Sequence, residues 1–384
     1  MRIIAKVTVL LVSIYFVNSG TARSDWQTTL EQHFDIVSTF DELDDWVGMA
    51  PDRAHGGYGN VGDPQYMPRK ANGENSVWSY YSYWGVVAPE NRSEKWIKDF
   101  GNNPAGGKSC AIRMVAPFGD PPIAASRMGI YFGTPGDPET GYSDVYIFYR
   151  VNIPRQMWIT EKVPLDGQIV ADYAGNYEGR YVEGDKYIWW ASWKFFNINT
   201  GFVGPWAWHD GPLEGDRRYG DTEILQHLKL FDGTNVIHHF ETQWQTEMWW
   251  ADDTTRAFPD GQWAAVEYHY ILEEPAYTGQ NGTVEVWIYD EGGNAAKVME
   301  RHDVRYRSNE FVCSNGINNH KFNSIVIGGN NSDTYSCGQG MNCTYYIDDV
   351  VIDNQRIGPD YFQLLASANE TGTPAPPSNL RLAE

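Results

Sequence analysis

Residues 187–196 read Tyr-Ile-Trp-Trp-Ala-Ser-Trp-Lys-Phe-Phe, a run rich in aromatic and β-branched side chains. Such residues suit the pleated surface of a sheet, where successive side chains point to opposite faces. Alternation predicts one strand, with one aromatic face and a second face on which Lys194 stands among apolar residues. A lysine there needs water or a partner for its ammonium group. Lys194 is therefore either a solvent-reaching lysine of an ordinary strand or part of a groove that faces a ligand.

Further strands are predicted on both sides of this run. Residues 222–231 and 236–245 flank the turn sequence Asp-Gly-Thr-Asn and indicate a hairpin. Segments rich in Gly and Pro separate the strands, and the sequence shows no long amphipathic helix. We therefore expect an all-β protein, a jelly-roll β-sandwich with long connections. The other predicted strands are 110–115, 144–153, 263–273, 283–289, 321–328 and 344–353.

The two ends of the chain differ in composition from the segments predicted to form the sandwich. Arg2 and Lys6 flank the start of an apolar run at 7–17, and small residues follow at 19–22, so residues 1–22 resemble a signal peptide. The run is too short to span a bilayer. Residues 23–362 are predicted to form one domain, and residues 363–384 a linker-like tail. We expect an exported protein, either secreted or periplasmic/extracellular.

The acidic composition of the chain limits the molecules that it can bind. The formal net charge is −21 and the isoelectric point about 4.7. The negative electrostatic field of such a chain disfavours nucleic acids and anionic membranes as partners, and it repels anionic polysaccharides at long range. A site for an acidic sugar would need cations nearby. The sequence leaves the oligomeric state open.

Four cysteines remain after the predicted signal peptide: Cys110, Cys313, Cys337 and Cys343. An even number in an exported chain favours disulfides. The short Gly-rich interval predicts that Cys337 pairs with Cys343, which leaves Cys110 with Cys313. Zinc is the alternative, but the sequence has no Cys-x-x-Cys pair with matching histidines.

The predicted hairpin has polar faces on both strands. If the two faces coincide, histidines, a lysine, a glutamate and amides share one surface; a solvated outer sheet would give the same pattern. Histidine suits proton transfer near neutral pH, and an exposed tryptophan can cover the C–H face of a sugar ring. The residues predicted for one concave surface are Lys194, His227, Lys229, His239, Glu241, Gln243 and His269, with Trp190 and Trp287 as sugar platforms.

Several motifs resemble a known family: Gly-Gln-Trp at 261–263, Asn-Gly-Thr-Val-Glu-Val-Trp at 281–287, Phe-Asn-Ser-Ile-Val-Ile-Gly-Gly at 322–329 and Tyr-Tyr-Ile-Asp-Asp-Val-Val-Ile at 345–352. They look like the concanavalin-A-like jelly roll of polysaccharide lyases of the alginate and glucuronan type, over residues 145–355. The resemblance implies β-elimination on a uronate polysaccharide, with Lys194, His227 and His239 in the catalytic positions. The tyrosines and the arginine that the family carries near the hairpin are absent here.

Two other functions remain open. A glycoside hydrolase of the same fold needs paired carboxylates, but the Glu-x-Asp-x-x-Glu pattern is absent and Asp221 with Glu223 does not complete it. A non-catalytic carbohydrate-binding or adhesive module would also fit the many aromatic residues and the tail.

The expected chemistry requires no cofactor. Asp348 and Asp349, with the acidic turn at 41–45, could supply oxygen ligands for a structural Ca²⁺, although such a pair more often caps strands and turns.

Overall fold

A computed structural model describes residues 21–48, 59–61, 66–84, 94–103, 106–115, 124–134, 137, 139–153, 163–164, 180–183, 186–189, 192–200, 222–231, 235–242, 248–250, 261–276, 278–306, 320–331 and 342–370. In chain order, its elements are α1 (Thr21–Glu31), β1 (Ile36–Ser38), β2 (Trp46–Gly48), β3 (Gly59–Val61), β4 (Trp78–Trp84), β5 (Glu94–Asp99), β6 (Lys108–Val115), β7 (Ala124–Tyr131), β8 (Asp144–Asn152), β9 (Val163–Pro164), β10 (Arg180–Glu183), β11 (Lys186–Trp189), β12 (Ser192–Thr200), β13 (Thr222–Phe231), β14 (Asn235–Thr242), β15 (Met248–Trp250), β16 (Trp263–Ile271), β17 (Gly282–Tyr289), β18 (Ala295–Val304), β19 (Phe322–Asn331), β20 (Asn342–Asp353) and α2 (Gly358–Glu370).

Two large antiparallel sheets face each other. Sheet A has the order β18-β17-β16-β8-β20-β6-β5-β2, with β1 paired to β20. Sheet B has the order β15-β14-β13-β12-β19-β7-β4-β3. A small third sheet contains β10, β11 and β9. Neighbours in both large sheets are often far apart in sequence, as in a jelly roll, so the predicted all-β sandwich is confirmed.

Aromatic side chains from both sheets fill the space between them. Phe196 of β12 stacks on Tyr268 of β16, with ring centroids 4.2 Å apart, and Tyr149 of β8 lies beside both rings. Val145 and Val151 point to the same core, as alternation along β8 predicted. Burying each such side chain contributes about 1.5–3 kcal/mol, so this layer is a main source of stability.

The predicted strand at 187–196 is wrong in two respects. Its first part is β11, which pairs with β10 and β9 in the small sheet, whereas β12 begins at Ser192 and belongs to sheet B. In addition, the register of β12 shifts between Lys194 and Phe196, so Phe195 and Phe196 are both buried in the core. A β-bulge inserts one extra residue and breaks the period of two on which the prediction relied.

Two helices, which the sequence analysis did not identify, cover the outer face of sheet A. Leu30 of α1 and Tyr361 of α2 pack with Phe148 and Val351 of the sheet. The helix α2 begins with Gly-Pro, carries an acidic residue in its first turn, and continues to residue 370. The predicted boundary at residue 362 therefore falls inside α2, and residues 363–370 are helical rather than a linker.

One buried carboxylate anchors α2 to sheet A. Glu267 of β16 is fully buried, and it accepts hydrogen bonds from the backbone N–H groups of Ile357 and Gly358 at 2.7 and 3.1 Å. The Tyr289 hydroxyl donates a further hydrogen bond to it. A carboxylate at the N-terminus of a helix satisfies orphan N–H groups and favours the helix dipole. Glu267 thus fixes where α2 begins.

Cys110 is a free, fully buried thiol, so the predicted disulfide with Cys313 is not formed in this structure. Its Sγ lies 3.5 Å from Met128 Sδ in the core between the sheets. Burial raises the pKa of the Cys110 thiol to about 12. Cys313 and Cys337 lie outside the described residues, as does the side chain of Cys343.

Neither described helix combines the length and the apolar composition that crossing a membrane requires.

Candidate functional site

Four residues on neighbouring strands of sheet B form a transverse row. Lys194 of β12 pairs with His227 of β13, and His227 pairs with His239 of β14. His239 in turn pairs with Trp250 of β15. Directly paired residues of antiparallel strands lie on one face, and neighbouring strands are about 4.8 Å apart. These four residues, here called the Lys194 row, therefore cross about 14 Å of one face of sheet B.

The bulge in β12 determines which face carries the row. Phe196 lies in the core and pairs with Gln226, whereas Lys194 pairs with the next residue of β13, His227. Successive residues of a strand alternate between faces. Lys194 and His227 therefore lie on the face opposite to Phe196, which is the face of sheet B turned away from sheet A.

The same face carries two flanking rows. Asn197, which is buried, pairs with Leu225, and Leu225 pairs with Glu241. On the other side of the Lys194 row, Lys229 pairs with Ser192. The register thus places Lys229 and Glu241 on the same face as the Lys194 row, and the two strands of the hairpin share that face.

Sequence reasoning missed two members of this face, Asn197 and Trp250. The prediction treated residue 196 as the end of the strand, although the alternation of Asn197, Ile198 and Asn199 continues it. The aromatic pair at 249–250 is a signal of a short strand that was not used. Two other predicted members, Trp190 and Gln243, lie outside the described residues.

His269 and Trp287 do not belong to this face. They lie on β16 and β17 of sheet A, and Glu267 of β16 pairs with Trp287. Alternation correctly placed both residues on the side of their strands that faces away from the core. It carries no information about which sheet a strand joins, and the two outer faces lie on opposite sides of the sandwich.

His269 is held within sheet A by two carboxylates. Its Nδ1 lies 2.8 Å from Glu285 Oε2, and its Nε2 lies 2.8 Å from Asp144 Oδ1. The ring stacks on Tyr146 at a centroid distance of 3.9 Å. Burial raises the pKa of Glu285, but the hydrogen bonds from Lys297 and His269 outweigh it and hold that pKa below its ordinary value. His269 therefore links β8, β16 and β17, and its ring nitrogens are engaged.

Trp287 is too enclosed to serve as a sugar platform. Only 6% of its surface is exposed. The Arg356 guanidinium lies 4.5 Å and the Lys297 ammonium 5.2 Å from the centre of its rings. Cations stabilise such a position through the negative faces of the indole. The role predicted for Trp287 is therefore corrected to a structural one.

One group of possible metal ligands lies at the edge of sheet A. Ligand atoms of Glu285, Glu300 and His302 lie within 4.8 Å of one another. The Lys297 ammonium, however, lies 2.6 Å from Glu285 and 3.0 Å from Glu300, so it bridges the two glutamates that oppose each other across the strands and offsets one of their two negative charges. In addition, His269 contacts Glu285 and His302 contacts Glu300.

Asp348 and Asp349, the predicted calcium ligands, are both buried on β20. Asp349 accepts a hydrogen bond from the Tyr361 hydroxyl and lies 3.9 Å from Arg150 Nη1. Burial raises the pKa of Asp348 well above its ordinary value, and the charges of Asp349 and Asp41 raise it further, while Arg150 lowers it. Asp349 is therefore engaged in an ion pair, and Asp348 accepts hydrogen bonds from the Asn103 side-chain amide and from the backbone N–H of Asp349.

No family model matches this chain, and no curated protein matches it significantly. Solved structures with a similar fold include a variant of alginate lyase Aly36B in complex with an alginate trisaccharide, at 10% identity and a TM-score of 0.37, covering 65% of this chain and 82% of that one. A marine alginate lyase from Aplysia kurodai shows 9% identity and a TM-score of 0.38, covering 67% and 88% of the two chains. Basic winged bean lectin with Tn-antigen shows 10% identity and a TM-score of 0.30, covering 63% and 85%. At such values the similarities support no statement about activity, and the two antiparallel sheets themselves define the fold.

Proposed function

We propose that this protein is a polysaccharide lyase that cleaves a uronate-containing polysaccharide by β-elimination on the outer face of sheet B. The observation that carries the proposal is the Lys194 row, in which a lysine, two histidines and a tryptophan follow one another across four strands. Elimination next to a carboxylate needs a cation or amide, a base and an acid. The row supplies a lysine ammonium group and two histidines suited to proton transfer near neutral pH.

Each part of the reaction has a candidate on this face. His239 is the first choice for the base, which takes the proton from C5 of the uronate. The electron pair of that C–H bond forms the C4=C5 double bond as the C4–O bond breaks, and the leaving oxygen takes a proton from an acid. Lys194 neutralises the carboxylate or donates that proton, and His227 lies between the two in the register.

Local positive charge offsets the acidity of the whole chain. A formal net charge of −21 repels an anionic polymer at long range. Lys194 and Lys229 lie on one face, at neighbouring register positions, and attract a carboxylate at short range. Salt screens the long-range repulsion more strongly than close contacts, so moderate ionic strength should favour association with the polymer.

We propose export for this protein, based on its N-terminal sequence, and a structural Ca²⁺ with oxygen ligands from Asp348, Asp349 and the acidic turn at 41–45. The supporting observation is that Asp348 and Asp349 are both buried on β20 and that the charge of Asp41 acts on Asp348. Carboxylate oxygens are ligands that Ca²⁺ prefers. The ion would neutralise buried charge and would take no part in elimination.

A glycoside hydrolase is the second candidate, because two carboxylates lie on the same face of sheet B. Glu241 pairs with Leu225, two residues from Glu223 on β13, so the two glutamates are diagonal neighbours. An inverting hydrolase needs two carboxyl groups on one face with room for a water molecule between them, which a diagonal pair on adjacent strands can provide.

A panel of polysaccharides separates the candidates. The protein is incubated with alginate, glucuronan, ulvan, pectin and neutral glucans, and both ultraviolet absorbance and reducing ends are followed. A lyase produces unsaturated uronates that absorb, a hydrolase produces reducing ends without that absorbance, and a binding module produces neither. Absorbing products from a uronate polymer support the proposal; reducing ends alone, or binding without products, contradict it.

A further inference from the structure

The outer face of sheet A contains a cleft at the end opposite to His269. Its volume is about 400 Å³, and it is lined by Asn102, Asn152, Gly261, Gln262, Trp263, Glu291 and Tyr346. Asn152 pairs with Trp263 on one side and with Tyr346 on the other, so these three residues form a transverse row at the base of the cleft. The cleft and the Lys194 row lie on opposite outer faces of the sandwich.

The base of the cleft is held in place by hydrogen bonds and ring contacts. Asn152 Nδ2 donates to the Gly261 carbonyl at 2.9 Å, and Trp263 Nε1 donates to the Asn102 carbonyl at 2.7 Å. Tyr346, which is half-buried, packs edge to face against Phe100. Asn152 and Trp263 are almost fully buried. These contacts fix the positions of the aromatic and amide groups before any ligand arrives.

The lining has the chemistry of a site for hydroxyl groups. Carboxamides offer both donors and acceptors, and Asn102 and Gln262 are exposed at the rim. Tyr346 offers an apolar ring with a polar tip, which suits a ligand with both C–H and O–H surfaces. A pocket of this size with an aromatic base and a few polar groups is typical of small-ligand sites.

The charge of the cleft selects among such ligands. The described lining residues include the carboxylate of Glu291 and no cation. Two cations lie behind the lining: the Arg150 guanidinium, 5.4 Å from the centre of the Trp263 ring and close to Asp349, and the Lys98 ammonium, 5.1 Å from the centre of the Phe100 ring. Because the charged group among the described lining residues is the Glu291 carboxylate, the cleft favours an uncharged sugar over an anionic one.

We propose that this cleft is a binding site for a neutral oligosaccharide. It is separate from the face proposed for elimination and does not depend on that activity. Binding is carried by the ring of Tyr346 and by the amides of Gln262 and Asn102.

The test measures calorimetric binding of neutral tetrasaccharides (β-1,4-glucose, β-1,3-glucose and β-1,4-mannose) to the full chain, with a mannuronate trisaccharide as the anionic comparison. Gln262→Ala and Tyr346→Ala should each weaken binding of a neutral probe about fivefold or more. The matched controls Gln32→Ala and Tyr66→Ala remove an exposed glutamine and an exposed tyrosine elsewhere and should bind like the wild type.

Three results would overturn the proposal: no neutral probe binds, the two cleft variants bind like their controls, or the anionic probe competes for the same cleft with higher affinity. Urea unfolding checks that each variant folds. If Tyr346→Ala does not fold, Gln262→Ala, at an exposed position, decides the outcome with Gln32→Ala as its control. Rates of elimination on uronate polymers are measured in Gln262→Ala as well, and they should equal the wild-type rates, so failure of the cleft and failure of the lyase proposal are separate results.

Discussion

Replacing Glu267 by glutamine should detach the start of α2 from sheet A. The carboxylate accepts from the backbone N–H groups of Ile357 and Gly358 and from the Tyr289 hydroxyl, and it lies 3.7 Å from Arg356 Nε. Glutamine retains one acceptor oxygen but places an NH₂ group where the second oxygen accepted hydrogen bonds. At least one buried donor is then left without an acceptor.

The expected loss follows from these contacts. A hydrogen bond to a charged group contributes about 1.5–3 kcal/mol, and leaving a buried donor unsatisfied costs about 1–3 kcal/mol. The charge at the helix N-terminus adds about 0.3–1 kcal/mol, whereas Arg356 is partly exposed and adds little. Because these effects overlap, we expect Glu267→Gln to lower the free energy of unfolding by about 2–4 kcal/mol.

Urea denaturation followed by tryptophan fluorescence and circular dichroism measures this loss. Glu139→Gln, at an exposed loop position, is the matched control and should change stability by less than about 0.5 kcal/mol. A Glu267→Gln protein as stable as its control would refute the anchoring role of Glu267. A loss of stability with α2 still protected from hydrogen exchange would show that the carboxylate acts elsewhere.

Three further predictions concern buried polar groups. Burial raises the pKa of Glu42 from 4.5 to about 7, so between these pH values the folded state keeps a proton that the unfolded state releases. Stability should fall by up to about 3 kcal/mol as pH rises from about 4.5 to about 7 and level off above, and Glu42→Gln should flatten this profile in urea titrations. Iodoacetamide should modify Cys110 only after unfolding, and peptide mass analysis that finds Cys110 in a disulfide would contradict the structure. Chelation by EDTA should lower the unfolding temperature of the wild type but not of Asp348→Asn, and equal curves with and without EDTA would remove the calcium proposal.

Local patterns predicted much of the fold. Val145, Ile147 and Tyr149 alternate inward on β8 as the sequence indicated, because a regular strand between two sheets keeps its period of two. The hairpin of β13 and β14 also formed as predicted, which placed His227 opposite His239. These are short-range properties, fixed by residues that are neighbours in the chain.

The errors arise from interactions between distant segments. One extra residue in β12 places both Phe195 and Phe196 in the core, and an alternating sequence pattern does not predict where a β-bulge occurs. Alternation correctly placed Glu267 and His269 on the face of β16 that points away from the core. There Glu267 accepts a hydrogen bond from the start of α2, and His269 contacts Asp144 of β8. Both partners are distant in sequence, so the alternation within β16 gives no information about them. Sheet membership is decided by such long-range pairing, so sequence alone could not separate His269 from the Lys194 row.

The most direct test of the central claim is the rate of ultraviolet-absorbing product formation from the best uronate polymer in single alanine variants. Lys194→Ala, His227→Ala and His239→Ala remove the ionisable groups of the row, whereas Lys297→Ala and His302→Ala remove the same residue types from the outer face of sheet A. All five variants must first be shown to fold. Removing a residue of the row that transfers a proton or neutralises the carboxylate should lower the elimination rate by about two or more decades, whereas the two control variants should keep the wild-type rate. Wild-type rates in all three row variants would contradict it.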